Sequence, residues 1–286
     1  MTATEWDAER TRRSLSSPTA DDDKYSRGVV GLRTGSRDYP GAAVLGVEAA
    51  WRTGTGMVRY VGPRRAVRLV LARRPETVAA AGRVQAWVIG SGTDAGSRTA
   101  AETAALARLL AGDVPVVVDA GALDLIVGAT APVVTTPHAR ELNRVRQALG
   151  LAPLADGADA PRRADAARET ADAIGGVVLL KGDVTFVAAP GQDVRAVRAG
   201  TPWLATAGTG DVLGGALGAV VAGVAARGGT GPSALADAAA SAAWLHGRAG
   251  RIAAARLGAA GGPITAMDVA EALPAAVAEV LAASHG

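Results

Sequence analysis

The chain has 286 residues, which suffices for one large α/β domain or two small ones, and 49% of the residues are hydrophobic. It contains no cysteine, which excludes disulfides, thiolate metal sites and a cysteine nucleophile. The formal net charge is only +3 and the basic residues form no cluster with interleaved aromatics, so we do not expect nucleic-acid binding.

The N-terminal segment carries few apolar side chains and includes three consecutive aspartates from Asp21 to Asp23. We predict a flexible arm over residues 1–23, which Trp6 could anchor to the body or to a neighbouring subunit, and a single domain over residues 24–286. The polar N-terminus does not fit a signal peptide. No apolar run reaches the roughly 18 residues of a membrane helix, so we expect a soluble cytoplasmic protein.

A β/α pattern begins at residue 28. The sequence predicts strands at 28–33, 56–61, 86–89, 114–118, 133–135 and 177–180. It predicts helices at 40–52, 100–110, 211–226, 233–257 and 266–283, with Pro274 expected to kink or divide the last one. Continuous apolar runs such as 114–118 are typical of strands buried on both faces, so the pattern indicates an α/β fold with a mostly parallel sheet.

Several predicted strands end in a polar or glycine-bearing loop that contains chemically capable residues. These residues are Asp119, His138, Lys181 and Gly182. In open parallel sheets, ligands bind at the carboxyl ends of the strands. We therefore expect these residues to lie at one site.

The strongest local motif is Ala207-Gly208-Thr209-Gly210-Asp211, which opens an apolar helix. Small residues allow a ligand close to the backbone, and the free amides and dipole of a helix start favour an anion. Gly208, Thr209 and Gly210 are therefore predicted to bind phosphate. Asp211 has two possible roles, as the N-cap of the helix or as a general base that deprotonates a hydroxyl attacking a phosphoryl group.

The segment Lys181-Gly182-Asp183-Val184-Thr185 follows another apolar strand, and the chain has only one other lysine, Lys24. Lys181 could neutralise a phosphate and Thr185 could hydrogen-bond it. An ordinary turn after a strand fits the same pattern.

The histidines give weaker signals. His138 follows a strand and is either a structural hydrogen-bonding group or a catalytic one, whereas His246 and His285 show no functional pattern. Three scattered histidines provide no metal-ligand spacing, so we predict no protein-only metal site.

The order of motifs resembles that of the ADP-dependent (S)-NAD(P)H-hydrate dehydratases, which repair damaged nicotinamide cofactors. The resemblance covers residues 24–283. It rests on Lys24 to Gly28, Gly35-Ser36, Tyr39-Pro40-Gly41-Ala42, Arg52 to Gly56, Pro75-Glu76, Gly90-Ser91-Gly92, Asp119 to Leu123, Thr136-Pro137-His138 with Glu141, Lys181-Gly182, and Ala205 to Leu213.

The resemblance implies a ribokinase-like three-layer α/β/α sandwich and a substrate that is NADH or NADPH hydrated at C6 of the nicotinamide ring. It also implies that ADP drives dehydration by phosphorylating this hydroxyl, with Asp211 as the base. The hydrate-binding set of the family maps to Ala42, Gly92, His138 and Asp211. Its adenine-nucleotide set maps to Lys181, Gly182, Asp183, Val184, Thr185 and Gly210.

Further expectations concern partners and the metal. The resemblance implies a homo-oligomer, a tetramer, and an epimerase activity on a separate chain, since no epimerase domain fits before residue 24. A nucleotide carries about three to four negative charges, more than Lys181 and a helix dipole of about half a charge neutralise, so we expect Mg²⁺ to arrive with the nucleotide.

The chain departs from the family pattern at three segments. Gly90-Ser91-Gly92-Thr93-Asp94 replaces the usual Gly-Pro-Gly-Leu-Gly, and we expect Asp94 to point away from any phosphate. Ala139 and Gly121 also replace family residues, a proline and an acid. These changes leave the substrate detail open.

Two rival functions remain open at this point. One is a small-molecule kinase of the same fold, of the thiazole or hydroxymethylpyrimidine type, which would use ATP on a stable alcohol. The other is a non-catalytic nucleotide-binding protein, which would need no base at Asp211. The motifs Tyr39-Pro40-Gly41-Ala42 and Thr136-Pro137-His138 fit the dehydratase better.

Overall fold

Short runs of valine, isoleucine and leucine form the centre of the fold. In the computed structural model, which describes residues 3–282, they build a nine-stranded sheet in the order β1-β9-β8-β7-β6-β5-β4-β2-β3. The strands are β1 Thr4–Glu5, β2 Val29–Arg33, β3 Met57–Tyr60, β4 Ala86–Ile89, β5 Val116–Val118, β6 Val133–Thr135, β7 Val177–Leu180, β8 Thr185–Ala188 and β9 Arg195–Val197. β8 runs antiparallel to β7 and β9, and the other described pairs are parallel.

Helices cover both faces of this sheet. They are α1 Ala8–Ser14, α2 Pro40–Thr53, α3 Arg64–Arg73, α4 Ala100–Leu110, α5 Ala139–Ala148, α6 Ala160–Ile174, α7 Thr209–Ala226, α8 Pro232–Ala255 and α9 Ala266–Ala282. Alternate residues of one strand face opposite layers: Val117 joins the core under α2, α7, α8 and α9, whereas Val116 and Val118 pack towards α4 and α5. This arrangement confirms the predicted α/β/α sandwich.

The N-terminal segment differs from the predicted flexible arm. Residues 4–5 add a parallel strand beside β9, with the amides of Thr4 and Trp6 each 2.8 Å from a carbonyl oxygen of the segment 194–196. Trp6 is only 6% exposed and stacks against Arg195, and α1 packs on α8. The segment is ordered because it completes a sheet edge and buries an indole.

Helix α7 corrects the expectation that no segment is long and apolar enough to cross a membrane. Its 18 residues meet that criterion by length and composition, but 72% of them are buried inside the fold. The helix lies between the sheet and α2, where Gly46 and Gly215 allow the two helix backbones to touch. It is therefore a core helix.

The last helix also differs from expectation, because it continues through Pro274 without division up to Ala282. Leu273 and Ala276, on either side, are fully buried. Their packing outweighs the backbone hydrogen bond that proline removes. The predicted residue 283 lies outside the described residues.

Candidate active site

The carboxyl ends of β4 to β7 meet around one buried carboxylate, that of Asp119. Asp119 follows β5 and is 4% exposed. Its Oδ1 accepts hydrogen bonds from Lys181 Nζ at 2.9 Å and Thr136 Oγ1 at 2.8 Å, and its Oδ2 accepts one from Ser91 Oγ at 3.0 Å. The donors come from the ends of β7, β6 and β4, so the parallel sheet itself assembles this cluster.

Lys181 is held as a partly buried ammonium between two carboxylates. Its Nζ lies 2.9 Å from Asp119 and 3.7 Å from Glu141. Burial works to lower the pKa of Lys181, but the charges of Asp119 and Glu141 outweigh it, and the net effect raises the pKa. The site therefore keeps a fixed positive charge.

Asp211 lies in the first turn of α7 and is not its N-cap. The cap position is held by Gly208, which has φ = 90°, so Asp211 is the third helical residue. Among residues 3–282, no group donates a hydrogen bond or forms an ion pair with the Asp211 carboxylate. Of the two roles left open above, capping is excluded.

The environment of Asp211 suits a base that works near neutral pH. Burial, and then the negative charge of Asp119, raises its pKa, while Lys181 opposes this effect. The result is a pKa of about 6. A carboxylate of that pKa is mostly ionised at pH 7 and still takes up a proton readily.

The glycine loop before α7 is fixed by one threonine. Thr209 Oγ1 donates hydrogen bonds to the carbonyls of Leu204 at 2.8 Å and Thr206 at 2.9 Å. The backbone amides of Gly210 and Asp211 meet no acceptor within residues 3–282. The loop therefore has the free amides that the predicted phosphate site requires.

The two predicted phosphate-binding segments meet at one cavity. A Cβ at Gly210 would lie 4.0 Å from Lys181 Nζ, so the loops are in direct contact. The cavity has a volume of about 510 Å³, within the range of small-molecule sites. Six of the predicted nucleotide residues line it: Lys181, Gly182, Asp183, Thr185, Thr209 and Gly210. The other two do not. Val184 packs against the hydrophobic cluster between the sheet and α6, and Gly208 faces Leu45 and Ala266.

The predicted hydrate-binding residues Ala42 and Gly92 lie against each other. Gly92 has φ = 64°, and a Cβ there would collide with Ala42 and lie 3.0 Å from the Tyr39 carbonyl. A Cβ at Gly214 would lie 3.4 Å from Ser91 Oγ. The loop that contains Gly92 therefore lies beside the α7 turn that follows Asp211.

His138 has a structural role in addition to any role in binding. Its Nδ1 accepts hydrogen bonds from the amides of Arg140 at 3.2 Å and Glu141 at 3.3 Å, while Glu141 Oε2 accepts one from the His138 amide at 2.8 Å. This capping box starts α5. Because Nδ1 is an acceptor, Nε2 of the half-exposed ring carries the proton of the neutral form and can donate it to a ligand.

The departures from the family pattern are coupled in space. A Cβ at Gly121 would collide with the Thr93 carbonyl, so the Thr93 loop occupies the space that an acidic side chain at position 121 needs. Asp94 is exposed and accepts a hydrogen bond from the Gly96 amide at 3.2 Å. It lines a cavity of about 350 Å³ that shares no lining residue with the cavity at Lys181 and Gly210.

Sequence reasoning missed Arg163, a second cation near the phosphate loops. Its Nη2 donates a hydrogen bond to the Lys181 carbonyl at 3.0 Å, and its guanidinium presses on Gly182. It lies on α6, and nothing in its local sequence pointed to the phosphate loops. Lys24 is exposed beside Tyr25, at the opposite edge of the sheet. His285 lies outside the described residues.

The residues of the site fit a divalent cation only if it arrives with phosphate. Over residues 3–282, no group of three or more His, Cys, Asp or Glu side chains could hold a metal. Asp119 is occupied by Lys181, Thr136 and Ser91, whereas the Asp211 carboxylate is free. One carboxylate together with substrate phosphates is a usual Mg²⁺ ligand set.

Comparisons with known proteins agree on one family. The sequence model of a family described as NAD(P)H-hydrate dehydratase matches residues 30–274. The bifunctional NAD(P)H-hydrate repair enzyme Nnr of Mycobacterium tuberculosis is 48% identical over 217 residues, 72% of this chain and 43% of that protein. The chain thus spans about half the length of such bifunctional relatives.

Two further proteins are similar over most of their length. The ADP-dependent (S)-NAD(P)H-hydrate dehydratase of Neisseria meningitidis is 34% identical over 248 residues, covering 80% of this chain and 78% of that protein. The ADP/ATP-dependent NAD(P)H-hydrate dehydratase of Bacillus subtilis, co-crystallised with ATP and Mg²⁺, superposes with a TM-score of 0.81 at 27% identity. That superposition covers 98% of this chain and 99% of that one.

Proposed function

Since the chain belongs to the NAD(P)H-hydrate dehydratase family, we propose that it catalyses the ADP-dependent dehydration of the S-epimer of hydrated NADH or NADPH. The observation that carries the proposal is the unpaired Asp211 carboxylate at a phosphate-binding helix start, with a pKa of about 6. A non-catalytic nucleotide-binding protein would need no such base, and burying an unpaired carboxylate costs stability.

In this reaction Asp211 removes the proton from the C6 hydroxyl of the hydrate. The hydroxyl oxygen then bonds to the terminal phosphorus of ADP, and the bond from that phosphorus to the bridging oxygen breaks, which releases AMP. The C6–O bond breaks next, phosphate leaves with the electron pair, and the adjacent ring carbon loses a proton. The ring double bond is thereby restored, and the products are the reduced cofactor, AMP and phosphate.

The other residues of the site bind and orient the two substrates. Lys181 and the amides of Gly210 and Asp211 would bind the phosphate chain, and Thr185 would hydrogen-bond it. Gly92 and Ala42 would let the hydrate ring approach the backbone, and His138 would donate from Nε2. A Mg²⁺ ion, when bound, would neutralise the terminal phosphate oxygens, and Asp183 in the cavity lining is a carboxylate that could hold it without occupying the base.

An absorbance assay tests the proposal. Enzyme, hydrated NADH, Mg²⁺ and either ADP or ATP are mixed, and the near-ultraviolet band of the intact reduced ring is followed. We expect the band to return faster with ADP than with ATP, and EDTA to stop it. Faster recovery with ATP would favour ATP as the phosphoryl donor, as in the small-molecule kinases. Full activity in EDTA would overturn the metal requirement. No recovery with either nucleotide would overturn the proposed dehydration.

The proposal extends to the state of the enzyme in the cell. We place it in the cytoplasm, where ADP and reduced nicotinamide cofactors occur together, and we expect a homo-oligomer, a tetramer. Exposed Tyr39 and Leu257 would suit burial between copies. Light scattering of the purified protein measures the molar mass, and a monomeric mass would contradict this part.

A further inference from the structure

A second cavity adjoins the predicted hydrate-binding residues. It has a volume of about 350 Å³, and its lining comes from three segments, 93–95, 120–127 and 141–148. These segments begin within three residues of Gly92, Asp119 and His138, which follow β4, β5 and β6. The cavity therefore continues the site along the carboxyl edge of the sheet.

The ion pair of Lys181 and Glu141 lies between the two cavities. Lys181 lines the nucleotide cavity, Glu141 lines the second one, and their charged groups are 3.7 Å apart. Hydrated NADH carries a ribose, a pyrophosphate and an adenosine beyond its nicotinamide ring. With ADP in the nucleotide cavity and the ring at Asp211, these groups have to extend away from the nucleotide, and the second cavity lies in that direction.

The second cavity contains one cation without a partner, Arg144. Its side chain is exposed and forms no hydrogen bond or ion pair within residues 3–282. The acids of the lining already have partners: Asp124 pairs with Arg98 at 2.6 Å, Glu141 with Lys181 at 3.7 Å, and Asp94 accepts a hydrogen bond from the Gly96 amide at 3.2 Å. A free guanidinium in a cavity wall is suited to a phosphate or pyrophosphate group.

The rest of the wall is largely apolar. Leu123 and Val145 are buried, whereas Val127 is 52% exposed and would be covered by a ring bound in the cavity. Ala120, also in the lining, is the only non-glycine residue of the described chain with a positive φ, 45°. Backbone strain of this kind is concentrated at ligand sites. An apolar wall with a few placed charges is the usual composition of a small-molecule site.

We propose that the second cavity binds the far half of the hydrated cofactor, with Arg144 on the pyrophosphate and the apolar wall against the adenosine. The hydrate and ADP then approach the reacting hydroxyl from two separate cavities. This inference rests on the dehydration proposed above.

Steady-state kinetics with two substrates test this role. Hydrated NADH is compared with hydrated dihydronicotinamide riboside, a probe that ends at the ribose and lacks the pyrophosphate and the adenosine. Both are measured with Mg²⁺ and ADP in wild type, Arg144→Ala and Ala148→Trp. Arg144 and Ala148 are exposed residues of α5, so neither change should disturb the fold, and the indole would fill part of the cavity.

We expect each variant to raise the KM for hydrated NADH by about tenfold or more, which for Arg144→Ala is the size of one lost charge-assisted contact. The kcat/KM for the riboside and the KM for ADP should stay within about twofold of wild type, because neither ligand reaches the second cavity. A purely structural effect would change all three constants together.

Arg108→Ala is the matched control. Arg108 is an exposed arginine on α4 that lines neither cavity, so its removal should leave the three constants unchanged. An unchanged KM for hydrated NADH in both variants would overturn the inference, as would equal losses for hydrated NADH and the riboside. A rise in the KM for ADP equal to that for hydrated NADH would have the same meaning. A wild type that does not dehydrate hydrated NADH would instead overturn the proposed function.

Discussion

Two aspartates at the same edge of the sheet have different roles because their neighbours differ. Asp119 is surrounded by Lys181, Thr136 and Ser91, which donate three hydrogen bonds to it. Asp211 receives none within the described chain and feels the negative charge of Asp119. Pairs of acids whose environments differ in this way mark a division of labour. Asp119 holds Lys181 in place, and Asp211 is the group that we propose exchanges the proton.

Replacing Asp211 by asparagine should abolish turnover without unfolding the protein. Loss of a positioned general base costs about 10²–10⁴-fold in rate. Because Gly208 and not Asp211 caps α7, no capping bond is lost. The burial that raises the pKa of Asp211 disfavours its charged form, so the neutral amide should stabilise the fold at pH 8 by about 1–2 kcal/mol. Urea unfolding and the absorbance assay measure both effects, and activity within a few-fold of wild type would remove the base assignment.

The pH dependence of the reaction follows from the same group. A base with a pKa of about 6 is protonated below that value, so kcat/KM should fall about tenfold per pH unit under pH 6 and level off above pH 7. Measuring kcat/KM from pH 5 to pH 8 in one buffer series tests this fall on the acidic side of the profile. An acidic limb centred near pH 4, the ordinary carboxyl range, would contradict the environment described for Asp211.

Lys181→Ala should weaken nucleotide binding more than hydrate binding. A charge-assisted contact to phosphate contributes roughly 1.5–3 kcal/mol, which corresponds to about 10- to 100-fold in affinity. The variant also leaves Asp119 buried without its ion-pair partner, so a lower melting temperature is expected. Lys24→Ala, at an exposed lysine on the opposite sheet edge, is the control. An unchanged ADP dissociation constant would return Lys181 to an ordinary turn residue.

Motif order named residues that the structure brings together at the strand ends, but it gave no role to the groups that orient them. Asp211, Lys181 and His138 carry recognisable neighbours in sequence, such as glycine loops and strand ends. Thr136 hydrogen-bonds Asp119, 17 residues earlier in the chain. Arg163 hydrogen-bonds the carbonyl of Lys181, 18 residues later. Such contacts depend on strand order and helix placement, which a local pattern does not encode.

At the scale of elements, one buried glutamate joins three helices. Glu48 on α2 is fully buried and accepts hydrogen bonds from Arg52 on α2 at 2.6 Å and from Arg74, just after α3, at 2.6 Å. Arg73 reaches both Glu48 at 3.3 Å and Glu271 on α9 at 3.1 Å. This cluster fixes α2, which carries Ala42 in the first turn at its other end.

Glu48→Gln should destabilise the protein strongly. Burial works to raise the pKa of Glu48, but hydrogen bonds from Arg74, Arg52 and Arg73 lower it to about 2. Removing one partner of a buried ion pair costs about 3–5 kcal/mol. Glu9→Gln, which breaks an exposed pair with Arg13, should change stability by less than about 1 kcal/mol.

The same glutamate gives the test a pH dependence. Because the pKa of Glu48 is lowered in the fold, its carboxylate contributes fully to the free energy of unfolding above about pH 4.5. That contribution is lost as the pH falls towards 2. The difference in unfolding free energy between wild type and Glu48→Gln should therefore shrink below pH 4.5. A difference that stays constant down to pH 2.5 would show that the cluster does not act through charge.

Strands and helices differ in how far the sequence predicts them. The strands β4, β6 and β7 match their predicted bounds. A strand buried on both faces is an uninterrupted apolar run, so the first and last apolar residues define its ends. Helix α3 was not predicted, since it exposes a wide arginine-rich face and buries few side chains. Its existence depends on a sheet to cover, which is tertiary information.

For the whole molecule, the two ends of the sheet are closed in different ways. β3, at one edge, is followed by α3 and by a parallel bridge from Arg59 to Val78. At the other edge, β1 and Trp6 cover β9, and β9 leads into the segment 199–205 that forms part of the nucleotide cavity. The N-terminal segment therefore supports the cavity wall from behind, although its polar composition suggested a loose arm.

Trp6→Ala tests whether this docking stabilises the whole fold. Truncating a buried tryptophan costs about 3–5 kcal/mol, and in a chain of this size about 3 kcal/mol lowers the melting temperature by roughly 6–12 °C. Trp203→Ala is the matched control, because Trp203 is 41% exposed and Trp6 is 6% exposed. Differential scanning calorimetry measures both variants. If Trp6→Ala melts within about 2 °C of wild type, the segment is only loosely attached and the flexible arm that its composition predicts is the better description.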